Sequence, residues 1–156
     1  MLVNTDTTLG SRIFALSCLR DSGASSSSNS IPGDPRGTQR LRVIVVDDER
    51  RVADSVKEIL ADSGHTAIAA YDGLSAVKIA KESCPDVLLC DVLMPDMNGV
   101  DTAVAVRDIC PDARVVLFSG HASVSDILTR ARAEGHHFEF LPKPIRPKDL
   151  LQKLSD

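Results

Sequence analysis

VIVVDDERRVADSVKEILADSG, residues 43–64, holds the reading on which the fold turns. Residues 41–46 form a short apolar run, the mark of a buried strand. From Arg50 the pattern changes period: Val52, Val56, Ile59 and Leu60 recur at helical spacing over residues 50–63. Gly64 then ends the helix, because glycine takes the left-handed cap conformation without a Cβ penalty. Two acidic residues, Asp47 and Asp48, stand where the strand gives way to the helix.

The same alternation continues downstream. Residues 65–70 read as a weaker strand, and 74–83 as a helix with Leu74, Val77 and Ala80 on one side, stopped by Pro85. Residues 87–90 form a strand that runs into Asp91. Residues 100–109 form a helix before Pro111, 114–118 a strand, and 124–134 a helix ended by Gly135. Residues 138–141 form a last strand, and Pro147 opens a last helix carrying Leu150, Leu151 and Leu154. Strands alternating with helices call for crossover connections and hence a parallel sheet. Ligands of such sheets sit at the carboxyl ends of the strands. Cys84-Pro85-Asp86 and Cys110-Pro111-Asp112 echo each other; both read as helix stops before a strand, not as a repeat.

Upstream, residues 21–40 read DSGASSSSNSIPGDPRGTQR, with almost nothing to bury. Residues 1–40 are therefore expected to be a disordered or weakly structured extension, and residues 41–156 the folded domain. The apolar stretch at 13–16 makes a weak signal peptide, since Arg12 is the one charge close before it and Asp6 lies upstream. No run reaches the ~18 apolar residues of a membrane span.

Aromatics are only 3% of the chain, so the core must come from Val, Leu, Ile and Ala. The formal net charge of -4 is not that of a nucleic-acid binder, whose footprint is basic. The four cysteines, Cys18, Cys84, Cys90 and Cys110, show neither a C-x-x-C pair nor zinc spacing, which fits a reducing cytoplasm.

The chemistry lies at the predicted strand ends. Asp47 and Asp48 follow the first strand and Asp91 the third. If those strands are neighbours, three carboxylates share one mouth and repel unless a cation joins them. Mg²⁺ suits such a set, because it takes oxygen ligands, keeps several waters and accepts phosphate oxygens. For the Asp pair alone, a helix cap or a turn serves as well. Ser119 after the fourth strand and Lys143 after the fifth change the weighting. They add a hydroxyl and an ammonium at the same edge, completing a phosphoryl-transfer set with a carboxylate nucleophile.

VIVVDDE at 43–49, DVLMPDMNG at 91–99, FSG at 118–120 and LPKP at 141–144 resemble, in order, the motifs of the response-regulator receiver (CheY-like) family. The resemblance covers about residues 41–156. It implies a flavodoxin-like α/β fold, a five-stranded parallel sheet of order 2-1-3-4-5 with helices on both faces. It implies phosphorylation at Asp91, and Mg²⁺ held by Asp48, Asp91 and the backbone carbonyl of Leu93, with Asp47 acting through water. It further implies that Lys143 pairs with the phosphoryl group, that Ser119 and Phe140 are the switch positions, and that the Lys143–Pro144 bond is cis. The implied partners are a sensor histidine kinase or histidine phosphotransfer protein and a downstream protein target, with no direct contact to nucleic acid or membrane. Catalysis is limited to the protein's own phosphoryl transfer and dephosphorylation.

Two departures from the family pattern stand out. Phe140 lacks the hydroxyl of the commoner Tyr, and the stretch from Ser119 to Lys143 is slightly long, with the extra residues around EGHHFEF at 134–140. Leu93 and His121 match the positions flanking the approach of hydrolytic water; Leu93 is expected to shield the phosphoryl group, giving it a long life. His136 and His137 have no third metal ligand near them in sequence. A small hydrolase using Asp91 as nucleophile would need a dedicated acid or base, for which His121 is the candidate. A degenerate scaffold would not need the intact Asp48, Asp91, Ser119 and Lys143. Since the sequence ends soon after the last helix, a stand-alone receiver is expected.

Overall fold

Apolar residues on both parities of a strand demand cover on both faces, and the computed structural model, which describes residues 39–120 and 124–156, supplies it. The strands are β1 (Arg42–Val46), β2 (Thr66–Ala70), β3 (Val87–Asp91), β4 (Arg114–Ser119) and β5 (Glu139–Pro142). The helices are α1 (Arg50–Asp62), α2 (Gly73–Glu82), α3 (Gly99–Ile109), α4 (Val124–Ala133) and α5 (Pro147–Ser155). Every expected element is present, each within about two residues of its expected bounds. All strand pairs are parallel, in the order β2-β1-β3-β4-β5.

The period-two alternation sorts the core into two halves. Val43, Val45, Val87, Leu89, Val116 and Phe118 pack with Ala53, Val56 and Leu60 of α1 and Leu150 and Leu154 of α5. Ile44, Val46, Leu88, Cys90, Val115 and Leu117 pack with α2, α3 and Ala131 of α4. The three central strands are thus apolar on both faces, whereas the edge strand β2 keeps Thr66 and Ile68 exposed.

Local chemistry sets the helix ends. Asp72 and Asn98 accept from the backbone N–H groups of Ser75 and Asp101, at 2.7 and 2.9 Å, capping α2 and α3. Gly64 and Gly135 follow α1 and α4 with φ of 89° and 88°, the left-handed conformation expected of them. The Lys143–Pro144 bond is cis, as expected.

The long segment before β5 is packed rather than looped out. His136 stacks on Phe138 at 5.8 Å between centroids, the Arg107 guanidinium lies 5.6 Å from the Phe138 ring, and Phe138 reaches the core. The extension expected over residues 1–40 lies, apart from Gln39 and Arg40, outside the described residues, as do Cys18 and His121. Among the described residues no helix is long and apolar enough to cross a membrane.

Candidate functional site

Strand register brings the expected residues to one edge. Val46 pairs with Cys90, so Asp47 and Asp91 leave β1 and β3 at the same level. Asp91 pairs with Phe118 and Ser119 with Pro142, which puts the end of β4 and Lys143 on that level too. One carboxylate oxygen from each of Asp47, Asp48 and Asp91 lies within 4.8 Å of the others. Asp47 and Asp91 are buried, Asp48 is exposed at the mouth, and Ser119 is buried beside them. The Lys143 ammonium bonds Asp47 Oδ2 at 2.9 Å and lies 3.3 Å from Asp91 Oδ2. Its backbone N–H donates to the Ser119 carbonyl at 3.0 Å, and its Nζ sits 5.1 Å from the Phe118 ring centroid. Asp47 is held from its other oxygen as well, Oδ1 accepting the Glu49 N–H at 2.8 Å.

The electrostatics follow from burial beside like charge. Removal from water is the main force raising the Asp91 pKa above its usual range. The Asp47 charge adds to it, while Lys143 and the Leu93 N–H oppose it. For Lys143, burial works against its charge, but the hydrogen bond to Asp47 and the negative field of Asp91 and Asp47 outweigh it and raise its pKa. Three carboxylates thus gather where one ammonium pairs with two of them, Asp47 and Asp91, an imbalance that a hard divalent cation with oxygen ligands would correct. The donor set therefore fits Mg²⁺.

The loop after Asp91 returns tightly. The Gly99 N–H donates to the Val92 carbonyl at 2.9 Å, and a Cβ on Gly99 would lie 2.0 Å from the Asp91 carbonyl oxygen. Its glycine serves close approach between the α3 terminus and β3. Leu93 is 39% exposed in this loop and Phe140 38% exposed on β5.

Two further arrangements gave little sign in the sequence. Arg114, at the start of β4, pairs through its guanidinium with Glu139 on β5, and Lys153 of α5 meets the same carboxylate at 2.8 Å. Cys84 and Cys110 form a disulfide. The Cys-Pro-Asp echo does mark two helix stops before strands, as expected; what it did not foretell is that the two turns precede neighbouring parallel strands and so bring their cysteines together.

The strand order, with helices on both faces, defines a CheY-like, flavodoxin-type fold. The response regulator receiver domain family model matches residues 43–155, and the chain belongs to this family of two-component signalling domains. It is 31% identical over 114 residues to the response regulator MprA of Mycobacterium ulcerans (strain Agy99), covering 73% of this chain and 48% of that protein. The MprA of Mycobacterium tuberculosis (strain ATCC 25618 / H37Rv) is 30% identical over 114 residues, with 73% and 49% covered. The chain thus spans about half the length of these curated relatives. Among solved structures, the Vibrio cholerae chemotaxis protein CheY4 superposes with a TM-score of 0.67 at 28% identity, over 75% of this chain and 98% of that one. A receiver domain protein from Clostridium thermocellum gives 0.66 at 29% identity, over 73% and 90%.

Proposed function

We propose that Asp91 accepts a phosphoryl group from a phosphohistidine of a sensor kinase or histidine phosphotransfer protein, and that the modified domain, residues 41–156, signals through protein contacts. The observation that carries this reading is the meeting of Asp47, Asp48 and Asp91 with Lys143 at one strand edge. An Asp91 carboxylate oxygen attacks phosphorus, the phosphorus–nitrogen bond breaks, and the imidazole leaves with its electron pair. Lys143, already charged and 3.3 Å from Asp91, takes up a phosphoryl oxygen. Asp48, Asp91 and the Leu93 carbonyl would hold Mg²⁺ directly and Asp47 through water. When bound, Mg²⁺ neutralises the charge that gathers on the phosphoryl oxygens.

Ser119 then hydrogen-bonds the phosphoryl group and Phe140 moves into the space vacated, a population shift between two packed states. Without a hydroxyl, the Phe140 ring contributes packing alone. Hydrolysis returns the domain to its resting state when water attacks phosphorus and the bond to Asp91 breaks. The domain acts in the cytoplasm, without direct contact to nucleic acid or membrane.

The test is intact-mass measurement after incubation with phosphoramidate and Mg²⁺. One phosphoryl group is expected on the wild type, none after EDTA, and none on a folded Asp91→Asn variant. Equal labelling of Asp91→Asn and wild type would overturn the assignment.

A further inference from the structure

The foot of the sheet, at the opposite strand ends from Asp91, carries chemistry that phosphoryl transfer does not use. Cys84 lies in the turn between α2 and β3, and Cys110 caps the carboxyl end of α3 just before β4. Because β3 and β4 are parallel neighbours, with Val87 opposite Arg114, the equivalent turns before them are adjacent. The two Cα atoms are 5.6 Å apart, within the roughly 4.4–6.8 Å that a disulfide spans.

The two cysteines differ in exposure. Cys84 is exposed, whereas Cys110 is 3% exposed, its Sγ 3.6 Å from the Ala80 carbonyl oxygen in the last turn of α2. Cys84 Sγ lies 4.0 Å from the Ile109 carbonyl oxygen. Each sulfur thus already has an acceptor that its thiol could use once the bond is reduced, so both redox states are provided for by nearly the same packing. Cys90, fully buried in the sheet, is a bystander.

We propose that Cys84 and Cys110 form a reversible thiol–disulfide exchange site whose substrates are low-molecular-weight disulfides and thiols. The reversibility rests on the cytoplasmic location proposed above, since in such a reducing compartment protein disulfides are characteristically transient or sensing. With oxidised glutathione as oxidant, the exposed Cys84 thiolate attacks one glutathione sulfur. The glutathione S–S bond breaks, a mixed disulfide forms on Cys84, and one glutathione leaves and takes up a proton. The Cys110 thiolate then attacks Cys84 Sγ, expelling the second glutathione. Two protein thiols lose two electrons and two protons, and one glutathione disulfide becomes two glutathione thiols. Return follows the same steps reversed, an external thiolate attacking Sγ of the exposed residue Cys84.

The experiment uses the full chain carrying Cys18→Ser, reduced, desalted and exposed to oxidised glutathione, with intact mass and peptide mapping as readouts. The parent should lose two hydrogens, retain no glutathione, and regain both thiols with dithiothreitol. Adding Cys110→Ser should trap one glutathionyl group on Cys84. Adding Cys84→Ser instead should slow modification roughly tenfold or more, since Cys110 is buried. The proposal fails if the parent keeps a mixed disulfide or does not react, or if Cys84→Ser reacts as fast as Cys110→Ser. The inference does not rest on phosphoryl transfer: Asp91→Asn should leave every thiol result unchanged.

Discussion

Leu93 carries an apolar side chain two residues after Asp91, in the loop that leaves β3. Its backbone N–H helps hold Asp91, while its side chain, 39% exposed, offers no hydrogen bond to an incoming water. In the proposed phosphorylated state, the rate of loss depends on how well that water is oriented. Leu93→Asn supplies both a donor and an acceptor there. It is expected to speed dephosphorylation by about threefold or more, equivalent to about 0.7 kcal/mol of barrier. Phosphoryl decay followed by intact mass at fixed Mg²⁺ measures this; an unchanged half-life would show that Leu93 does not shield the site.

At the scale of the elements, the start of α3 is tightly packed. Its first residue lies so close to β3 that a methyl group on Gly99 would strike the Asp91 backbone carbonyl, which no side-chain rotation can relieve. Gly99→Ala should therefore cost about 1–3 kcal/mol in urea unfolding, as overpacking does. A midpoint equal to that of the wild type would contradict the close approach. On the far side of the sheet, β4, β5 and α5 are joined through Glu139. The Arg114 hydrogen bond, helped by Lys153 against the cost of burial, lowers the Glu139 pKa from 4.5 to about 2. A carboxylate whose folded pKa is depressed adds stability above its unfolded pKa and loses it as pH falls through the folded value. That stability should fade between pH 4.5 and about 2. With a third of the side chain in solvent, screening reduces the effect to about 1 kcal/mol. Glu139→Gln should flatten the acid limb of the stability profile across this window; an unchanged limb would mean that the ion pairs contribute nothing.

At the scale of the molecule, the Cys84–Cys110 bond closes a loop of chain containing β3 and α3, with a sequence separation of 26. Restricting the unfolded chain over that length is worth about 3.5 kcal/mol in the loop-entropy description. For a domain of this size, reduction should lower Tm by roughly 15 °C. Calorimetry with and without dithiothreitol checks this, and Cys84→Ser should melt with the reduced protein. Coincident transitions in both redox states would remove the bond from the stability of the fold.

Short-range signals determined the elements. Period and punctuation are local properties, so the apolar run of Val43 to Val46, the helical spacing of Val52 to Leu60, the alternation of such stretches, and the stops at Gly64, Pro85 and Pro111 were legible in the sequence. The parallel sheet followed from that alternation, and the ordered motifs carried the strand order and named Asp47, Asp48, Asp91, Ser119 and Lys143 together. Tertiary structure decided what depends on contacts across sequence-distant strands. It showed that the Lys143 ammonium approaches Asp47, 96 residues away, more closely than Asp91. It gave Gly99 its reason in a neighbouring carbonyl, assembled Arg114, Glu139 and Lys153 around one carboxylate, and joined Cys84 to Cys110. Each of these depends on the register of parallel strands and the placement of the helices over them. A window of sequence carries no information on that register, because the partners lie in different windows and the distance between them is fixed only when the sheet closes.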